Sequence, residues 1–555
     1  MTDKSIPLYE IPEIHERRWW ILGVMAASLT VVVMSVSGLN VALPTLQESL
    51  DASNSALQWI IDSYALVFAG LLLTAGALGD RFGRRNALLF GLAVFAVGAT
   101  VGGLGSTPAQ VIAGRATMGA GAAFVMPATL SLVVTVFPPE ERRRAIAIWA
   151  GFAGAGAAIG PIVSGALLEW FWWGAALLVN IPIVIVLAGS IAVLAPRSRD
   201  THNTPLDLPG TALSLVGITA LVFGIIEGPN LGWSSPEVLA GFAAAAVTLV
   251  GFVVRERHAR HPMLPLELFA DRRFSVGSGV VTVTFFAMIG FFFLNTLYLQ
   301  FVRGDSPLFA GLAAVPVAIM QVLVAPRSSS LSERFGSGPV IAVGFTFISS
   351  GFAVLAFAAP SWPYLPLGAA YVLLGTGMGI TAAPATGNIM SAVPDAKAGV
   401  GSAVNDTTRE FGGALGIAVL GSIIASAYQA NLRIDDLGLG PEQVAAAKDS
   451  VGAASQIARS LPGGGAELAD RAGVAFTGAF NIANTISALL ALTAAVTVAF
   501  VFSPSKERSA AHAAAASRHA PDAEPAPDAE PAPLVGQSIP SAHRTGPTGD
   551  HVWDG

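Results

Sequence analysis

Apolar residues fall in long blocks separated by short polar connections. A helix that crosses a bilayer needs about 20 mostly apolar residues. The blocks that meet this length are 19–42, 57–78, 86–105, 109–135, 145–168, 173–195, 209–226, 237–254, 274–300, 308–326, 339–359, 365–388, 400–426 and 476–502. The pattern predicts an all-α polytopic membrane protein with fourteen transmembrane helices. Proline and glycine inside the blocks are compatible with this, because neighbouring helices can satisfy the freed backbone groups.

Two stretches break the pattern. Residues 428–475 are polar, with Pro441, Glu442, Gln443 and an alanine-rich run, and predict a long connection carrying a short surface helix. Residues 505–555 are rich in Pro, Ala, Asp and His, with a six-residue repeat from Pro521 and again from Pro527. That composition cannot bury a core and predicts a disordered tail.

Charge tests the map, because cytoplasmic connections gather Lys and Arg. With the N-terminus cytoplasmic, 23 of the 30 basic residues fall inside. Among them are Arg17, Arg18, the Arg81–Arg84–Arg85 group, Arg142 to Arg144 and the run from Arg255 to Arg273. Arg303 lies outside, and Arg433, Lys448, Arg459 and Arg471 share the long connection 428–475; Arg115 and Arg409 lie within helices. Losing one helix would invert every later assignment, so the charges support the count. Residues 1–18 are then a cytoplasmic N-terminus and 19–195 an N-terminal six-helix bundle. Residues 196–273 form a linker with two extra transmembrane helices. Residues 274–504 form a C-terminal six-helix bundle interrupted by the outer loop 428–475, and 505–555 a cytoplasmic tail.

Composition narrows the function. Hydrophobic residues make up 53% and charged residues 12%, with mean hydropathy +0.64. A soluble domain carries about 25% charged residues, so this chain could not cover itself in water. Cysteine is absent, which excludes disulfides, thiolate metal sites and thiol nucleophiles. The eight histidines sit in connections and tails without zinc-like spacing, and no phosphate-binding loop is present. The expectation is no metal, no cofactor, no nucleic-acid partner and no enzymatic chemistry. Arginine outnumbers lysine 26 to 4 beside abundant Ala and Gly, which suggests GC-rich bacterial coding and the bacterial inner (plasma) membrane. Asp3, Glu10, Glu13 and Glu16 do not suit a cleavable signal peptide, so the first block is expected to stay as a helix.

The sequence Gly76-Ala-Leu-Gly79-Asp80-Arg81-Phe82-Gly83-Arg84-Arg85 follows the second block, and Ser332-Glu333-Arg334-Phe335-Gly336-Ser337-Gly338 follows the tenth. An acid followed by Arg-Phe-Gly thus recurs 253 residues later on the same side. Parallel repeats of this kind mark transporters whose site lies between two halves. Glycines here permit a tight turn, and Asp80 could cap a helix or pair with an arginine in one conformation only. Spacing alone leaves open both that latch and a purely topogenic charge cluster.

The first of these loops resembles the signature loop between helices 2 and 3 of the major facilitator superfamily. Arg115-Ala-Thr-Met-Gly119-Ala-Gly121, in the fourth block, resembles a motif of its drug:proton antiporters. Gly156-Ala-Ala-Ile-Gly160-Pro161-Ile-Val-Ser-Gly165, in the fifth, resembles their antiporter motif. Asn40-Val-Ala-Leu-Pro44 and Arg409-Glu-Phe-Gly412-Gly413-Ala-Leu-Gly416 fit the fourteen-helix branch. The resemblance covers roughly residues 15–505. It implies alternating access between two six-helix bundles, proton-coupled multidrug efflux, a role for Arg115 in proton transfer, and a monomer in the lipid. In this branch an acid normally stands five residues before Asn40; here the position is Ser35. That departure puts a cation-recognising role for the first helix in doubt and shifts weight to Asp62.

Proton coupling needs ionisable groups in the membrane. Asp62 lies in the apolar and aromatic run Trp59-Ile-Ile-Asp62-Ser-Tyr64; a solvated helix cap is the alternative. Asp406 and Glu410 stand four apart on one helical face beside Arg409. Glu169 and Glu227 are expected to be exposed helix ends. For substrate contact, Asn40, Trp59, Asn295 and Tyr298 are the candidates. The phenylalanines Phe285, Phe286, Phe291, Phe292 and Phe293 beside them are mostly packing. The reading is a proton antiporter for hydrophobic drug-like molecules, with export of a dedicated lipid, siderophore or antibiotic as the alternative. A non-transporting receptor or regulator is the rival of another class.

Overall fold

The structure, a computed structural model, describes residues 8–501 apart from 199–206, 260–261, 263, 265, 394–397 and 462–464, and apart from some side chains within helices, Asp80 among them. The predicted tail 505–555 lies outside these residues. No strand occurs among the described residues.

The first half comprises α1 (Pro12–Leu50), α2 (Asn54–Phe82), α3 (Arg84–Gly103), α4 (Pro108–Val136), α5 (Pro139–Leu168), and the paired α6 (Ala175–Leu178) and α7 (Asn180–Leu194). An inserted pair follows, α8 (Leu208–Leu231) and α9 (Pro236–His258). The second half comprises α10 (Arg272–Leu297), α11 (Pro307–Ala313), α12 (Val315–Phe335), α13 (Ser337–Leu355), α14 (Tyr364–Ser391), α15 (Ala398–Asn431) and α18 (Gly465–Val501). Two short helices, α16 (Pro441–Asp449) and α17 (Val451–Ser460), occupy the long connection, where one surface helix was expected.

Among the described residues, thirteen helices are long and apolar enough to cross a membrane. The exception is α5, whose first turn carries Glu140 and Glu141 and whose apolar part is the shorter Ala155–Leu168. Each of the other thirteen predicted blocks overlaps one of these spans, some running a few residues past its end. Four of the helices that start at one end of the bundle do so for a local reason. Ser53, Thr107, Ser235 and Ser306 each accept a bond from the backbone N–H three residues on, and Pro follows three of them directly. Such a cap is worth about 1 kcal/mol and presets the first turn.

Within the first half, α1 packs on α5 and α4 on α2 and α3; within the second, α14 packs on α12 and α13, and α15 on α10. The arginine-rich loop repeats in three dimensions. Gly83 and Gly336 both take positive φ, +107° and +89°. Both end one helix and begin the next, and both donate to a carbonyl four residues back, Gly79 and Ser332, at 2.9 Å. Arg81 lies over Phe82 and Arg334 over Phe335, at 5.5 and 5.3 Å. Only glycine takes this backbone conformation without a steric cost.

At the opposite end, hereafter the capped end, the halves are tied together. Gln300 Nε2 donates to the Val41 carbonyl at 2.9 Å. Arg459 of α17 pairs with Glu48 of α1 at 2.6 Å, and Asn54 Nδ2 donates to the Asp449 carbonyl at 2.6 Å. A Cβ on Gly311 of α11 would stand 2.6 Å from the Pro161 carbonyl of α5. The connection 428–475 therefore folds back over the first half.

Candidate functional site

At the centre of the first half, Arg115 is 0% exposed on α4. Its Nε donates to the Ile60 carbonyl at 3.2 Å, and its guanidinium lies 4.4 Å from the centroid of the Tyr64 ring. The group is held by a carbonyl and a π-face, and its Nη2 has no hydrogen-bond partner. A desolvated cation–π contact is worth about 2 kcal/mol. That is far less than the cost of burying a guanidinium, so its position needs a further reason.

Asp62 follows Ile60 on α2. It too is 0% exposed, and neither carboxylate oxygen has a hydrogen-bond partner. It is therefore a buried acid and not a solvated helix cap. Elsewhere on α1 and α2, Ser35, Asn40, Gln47 and Gln58 are 7% exposed or less, and each carries a polar atom without a partner among the described residues. Buried polar groups are nearly always paired; leaving one unpaired costs about 1–3 kcal/mol. Their concentration on α1 and α2 marks these helices as more than packing surfaces.

The second half brings Asp406, Arg409 and Glu410 to the same seam on α15. Arg409 pairs with Asp406 at 3.9 Å and lies 5.1 Å from the Phe285 ring centroid. Glu410 lines a small crevice with Ala65, Leu66, Ala69 and Gly70 of α2 and Leu215 and Ile218 of α8. Arg115, bonded to Ile60 and lying over Tyr64, and Glu410, in the crevice beside Ala65 and Leu66, meet the same stretch of α2 from the two halves. The structure thus gathers Asp62, Arg115 and Glu410 around the α2–α15 seam, with Asp406 further along α15.

The glycines of α5 let backbones meet. A Cβ on Gly160 would stand 2.5 Å from the Met34 carbonyl of α1, and one on Gly156 2.8 Å from the Thr30 carbonyl. Gly165 crosses the seam: its Cβ would stand 2.8 Å from the Pro307 carbonyl of α11, just where Pro161 meets Gly311. In the arginine-rich loop, Gly79 packs on Ala87, the Arg84 N–H donates to the Ser198 carbonyl at 3.0 Å, and Arg85 donates to the Ala192 carbonyl at 2.5 Å.

The substrate-contact candidates separate. Asn40 stays at the core of α1, with Nδ2 donating to the Val36 carbonyl at 3.5 Å. Trp59 turns to the inserted pair, where its Nε1 donates to Glu227 at 3.0 Å. Glu227 is accordingly half-buried, unlike the exposed Glu169. Asn295 accepts from Tyr371 at 2.5 Å, and Tyr298 donates to the Ala359 carbonyl at 2.7 Å and stacks on Phe480. Both are buried inside the second half. Phe291 is also packing, against Phe352 and Tyr371. Sequence reading missed Gln47 and Gln58; Gln58, a glutamine at the start of an apolar block, was an available signal, whereas Gln47 stands in a polar connection.

The sequence profile of the Major Facilitator Superfamily matches residues 25–417. The multidrug efflux pump LfrA of Mycolicibacterium smegmatis is 36% identical over 88% of this chain and 96% of its own. The tetracenomycin C resistance and export protein of Streptomyces glaucescens is 33% identical, covering 87% and 91%. The methyl viologen resistance protein SmvA of Salmonella typhimurium is 32% identical, covering 89% and 100%. Among solved structures, a bacterial homologue of the human lysosomal transporter Spinster superposes with a TM-score of 0.61 at 16% identity, over 89% of this chain and 99% of that one. A peptide transporter of the POT family gives 0.56 at 15% identity, over 86% and 95%. With its buried charges, its repeated glycine loop and these relatives, the chain belongs to the Major Facilitator Superfamily and is a membrane transporter rather than an enzyme.

Proposed function

We propose that this transporter exports hydrophobic drug-like molecules in exchange for protons, by alternating access between its two halves. One observation carries the reading: the Asp62 carboxylate is fully buried without a partner among the described residues, on the stretch of α2 that meets Arg115 from one half and Glu410 from the other. A carboxyl group in that setting can trade a proton only when water or a cation reaches it, so its state follows the conformation. The arginine-rich end is cytoplasmic, with both termini, and the capped end faces outside. Protonation of Asp62 or Glu410 from outside favours substrate release; deprotonation inside permits reloading. Asn40 on α1 is a better candidate substrate contact than Asn295 and Tyr298, which bond within their own half, while Trp59 would first have to leave Glu227. The transporter works as a monomer in the lipid, driven by the proton gradient without a cofactor.

A second reading has support in the relatives' names. One is a tetracenomycin C export protein and another, 37% identical over 71% of this chain, a cephamycin export protein of Amycolatopsis lactamdurans. Export of one dedicated natural product is the reading that a failed drug panel would leave standing.

The test is dye efflux in inside-out vesicles under an imposed pH gradient, comparing wild type with Asp62→Asn and Glu410→Gln. Transport that a protonophore stops and that one of the two variants loses supports proton-coupled export. Wild-type vesicles that hold the gradient yet move no dye overturn the multidrug reading.

A further inference from the structure

Asn54, Gln58 and Asp62 follow one another down α2 at four-residue spacing. They share one helical face, each step about 6 Å deeper. Asn54 is 8% exposed, Gln58 1% and Asp62 0%. Asn54 is held by the Asp449 carbonyl, whereas Gln58 Oε1 and both Asp62 oxygens have no partner. On α1, Gln47 is 2% exposed with neither amide atom partnered. Groups of the other half cover this line. A Cβ on Gly421 of α15 would stand 2.7 Å from Gln58 Cδ, and one on Gly452 of α17 2.6 Å from Gln47 Oε1. Asp449, three residues before Gly452, closes over Asn54.

Unpaired carboxamides are kept where another state of the molecule pairs them. Here that state is one in which the halves part at the capped end, and the partner is water. We infer that Asn54 and Gln58, with Gln47 at the rim, line a water-filled path by which external protons reach Asp62, and that Gly421 and Gly452 let it collapse shut. Gln58 is the positioning residue: its amide holds the last water against the carboxylate. A hydronium at the outer mouth passes a proton along the waters, one O–H bond breaking as the next forms, until a water donates to Asp62. Gln58 itself gains and loses nothing. The ionisable groups along the path are Asp51, Glu227 and Asp449 at the mouth, the Glu48–Arg459 pair at the rim, and Tyr64, Arg115 and Glu410 at the base. The inference rests on Asp62 as proton carrier.

The experiment uses the full chain in proteoliposomes, reading drug-driven proton movement and dye transport against the pH of the outer side. Gln58→Leu keeps the volume and removes the hydrogen bonds. Its transport is expected to need an outer pH about one unit more acid, a tenfold change in proton activity, with the KM for dye unchanged. Gln58→Glu is expected to restore the wild-type profile. An unshifted profile in Gln58→Leu, while Asp62→Asn loses proton movement, overturns the path alone. Asp62→Asn that still moves protons overturns the underlying reading. Because the chain has no cysteine, Gln58→Cys gives a readout that does not depend on transport by the leucine variant. It is expected to react with a membrane-impermeant thiol reagent from outside during turnover, and faster when combined with Gly421→Ala. No labelling from that side under turnover overturns the path.

Discussion

At the scale of single residues, the centre of the molecule is defined by groups that lack what soluble interiors provide. Arg115 has one carbonyl, one aromatic face and a methionine sulfur 4.0 Å away, and no carboxylate in ion-pair contact. Lysine offers a compact ammonium in place of a planar fork and cannot reach the Ile60 carbonyl while lying over Tyr64. Arg115→Lys is therefore expected to fold and reach the membrane yet lose tenfold or more in dye efflux, read beside surface expression in the same cells. Equal efflux by the lysine variant would show that charge alone suffices. Sequence made Arg115, Asp62 and Glu410 legible because ionisable groups in apolar blocks are conspicuous. It could not show that Trp59 turns to Glu227, or that Asn295 and Tyr298 bond within their own half. Which face of a spanning helix meets a neighbour depends on packing, and hydrophobicity all round these helices hides that face.

At the scale of elements, the connection 428–475 is the part least legible in advance. Its polar composition predicted a surface loop with one helix. The structure has two helices and a return contact, because Ser450, 1% exposed, caps α17 while Asp449 docks on Asn54. Burial pushes the Asp449 carboxyl above its usual range, with Asp51 and Glu227 adding to it. Lys448 beside it is engaged by Asp435 at 3.1 Å. The docked carboxyl is thus easier to protonate than the undocked one, whose value is about 3.9. Docking is strongest below the undocked value and weakens as pH rises through the docked one. Spin labels at Leu104→Cys and Glu442→Cys, both exposed at the capped end, are expected to give a broader distance distribution at alkaline than at acid pH. Asp449→Asn is expected to keep the narrow distribution at both. A distribution independent of pH in the parent would remove the carboxyl from the cap's control. At the other end, Arg18 beside Glu141, at 2.8 Å, holds that carboxyl below its usual range. The same element scale thus sets opposite acid responses at the two ends.

At the scale of the whole molecule, the repeat seen in sequence as Arg-Phe-Gly is a repeat of backbone. Gly83 and Gly336 adopt the same strained turn and the same return bond. A side chain at either position costs roughly 1–2 kcal/mol. Gly83→Ala and Gly336→Ala are expected to lower the melting temperature in detergent by similar amounts. Because only the Gly83 loop is followed by two arginines bonded to the Ser198 and Ala192 carbonyls, Gly83→Ala is expected to slow dye transport more. Equal transport losses would make the two loops functionally equivalent. The overall architecture was legible because block length and the side of each arginine are one-dimensional facts. The α5 span was less so, since its glycines and charged first turn lower its hydropathy.

The inserted helix α8 gives the molecule a handed relation to its solvent. Thr74 meets Thr211 at 2.7 Å, Trp59 meets Glu227, and Ser422 donates to the Ile225 carbonyl at 2.6 Å, so α8 is fastened to both α2 and α15 along their length. A separate apolar cluster of Leu66, Val222, Ile226, Ala414 and Ala418 fills the space between them. The two lipid-facing sides of the interface are therefore unequal. One is shuttered by a third helix; the other, between α5 and α12, has no such cover among the described residues, where Phe152, Val322 and Leu323 are exposed. To the surrounding lipid, the described residues therefore present two unlike façades.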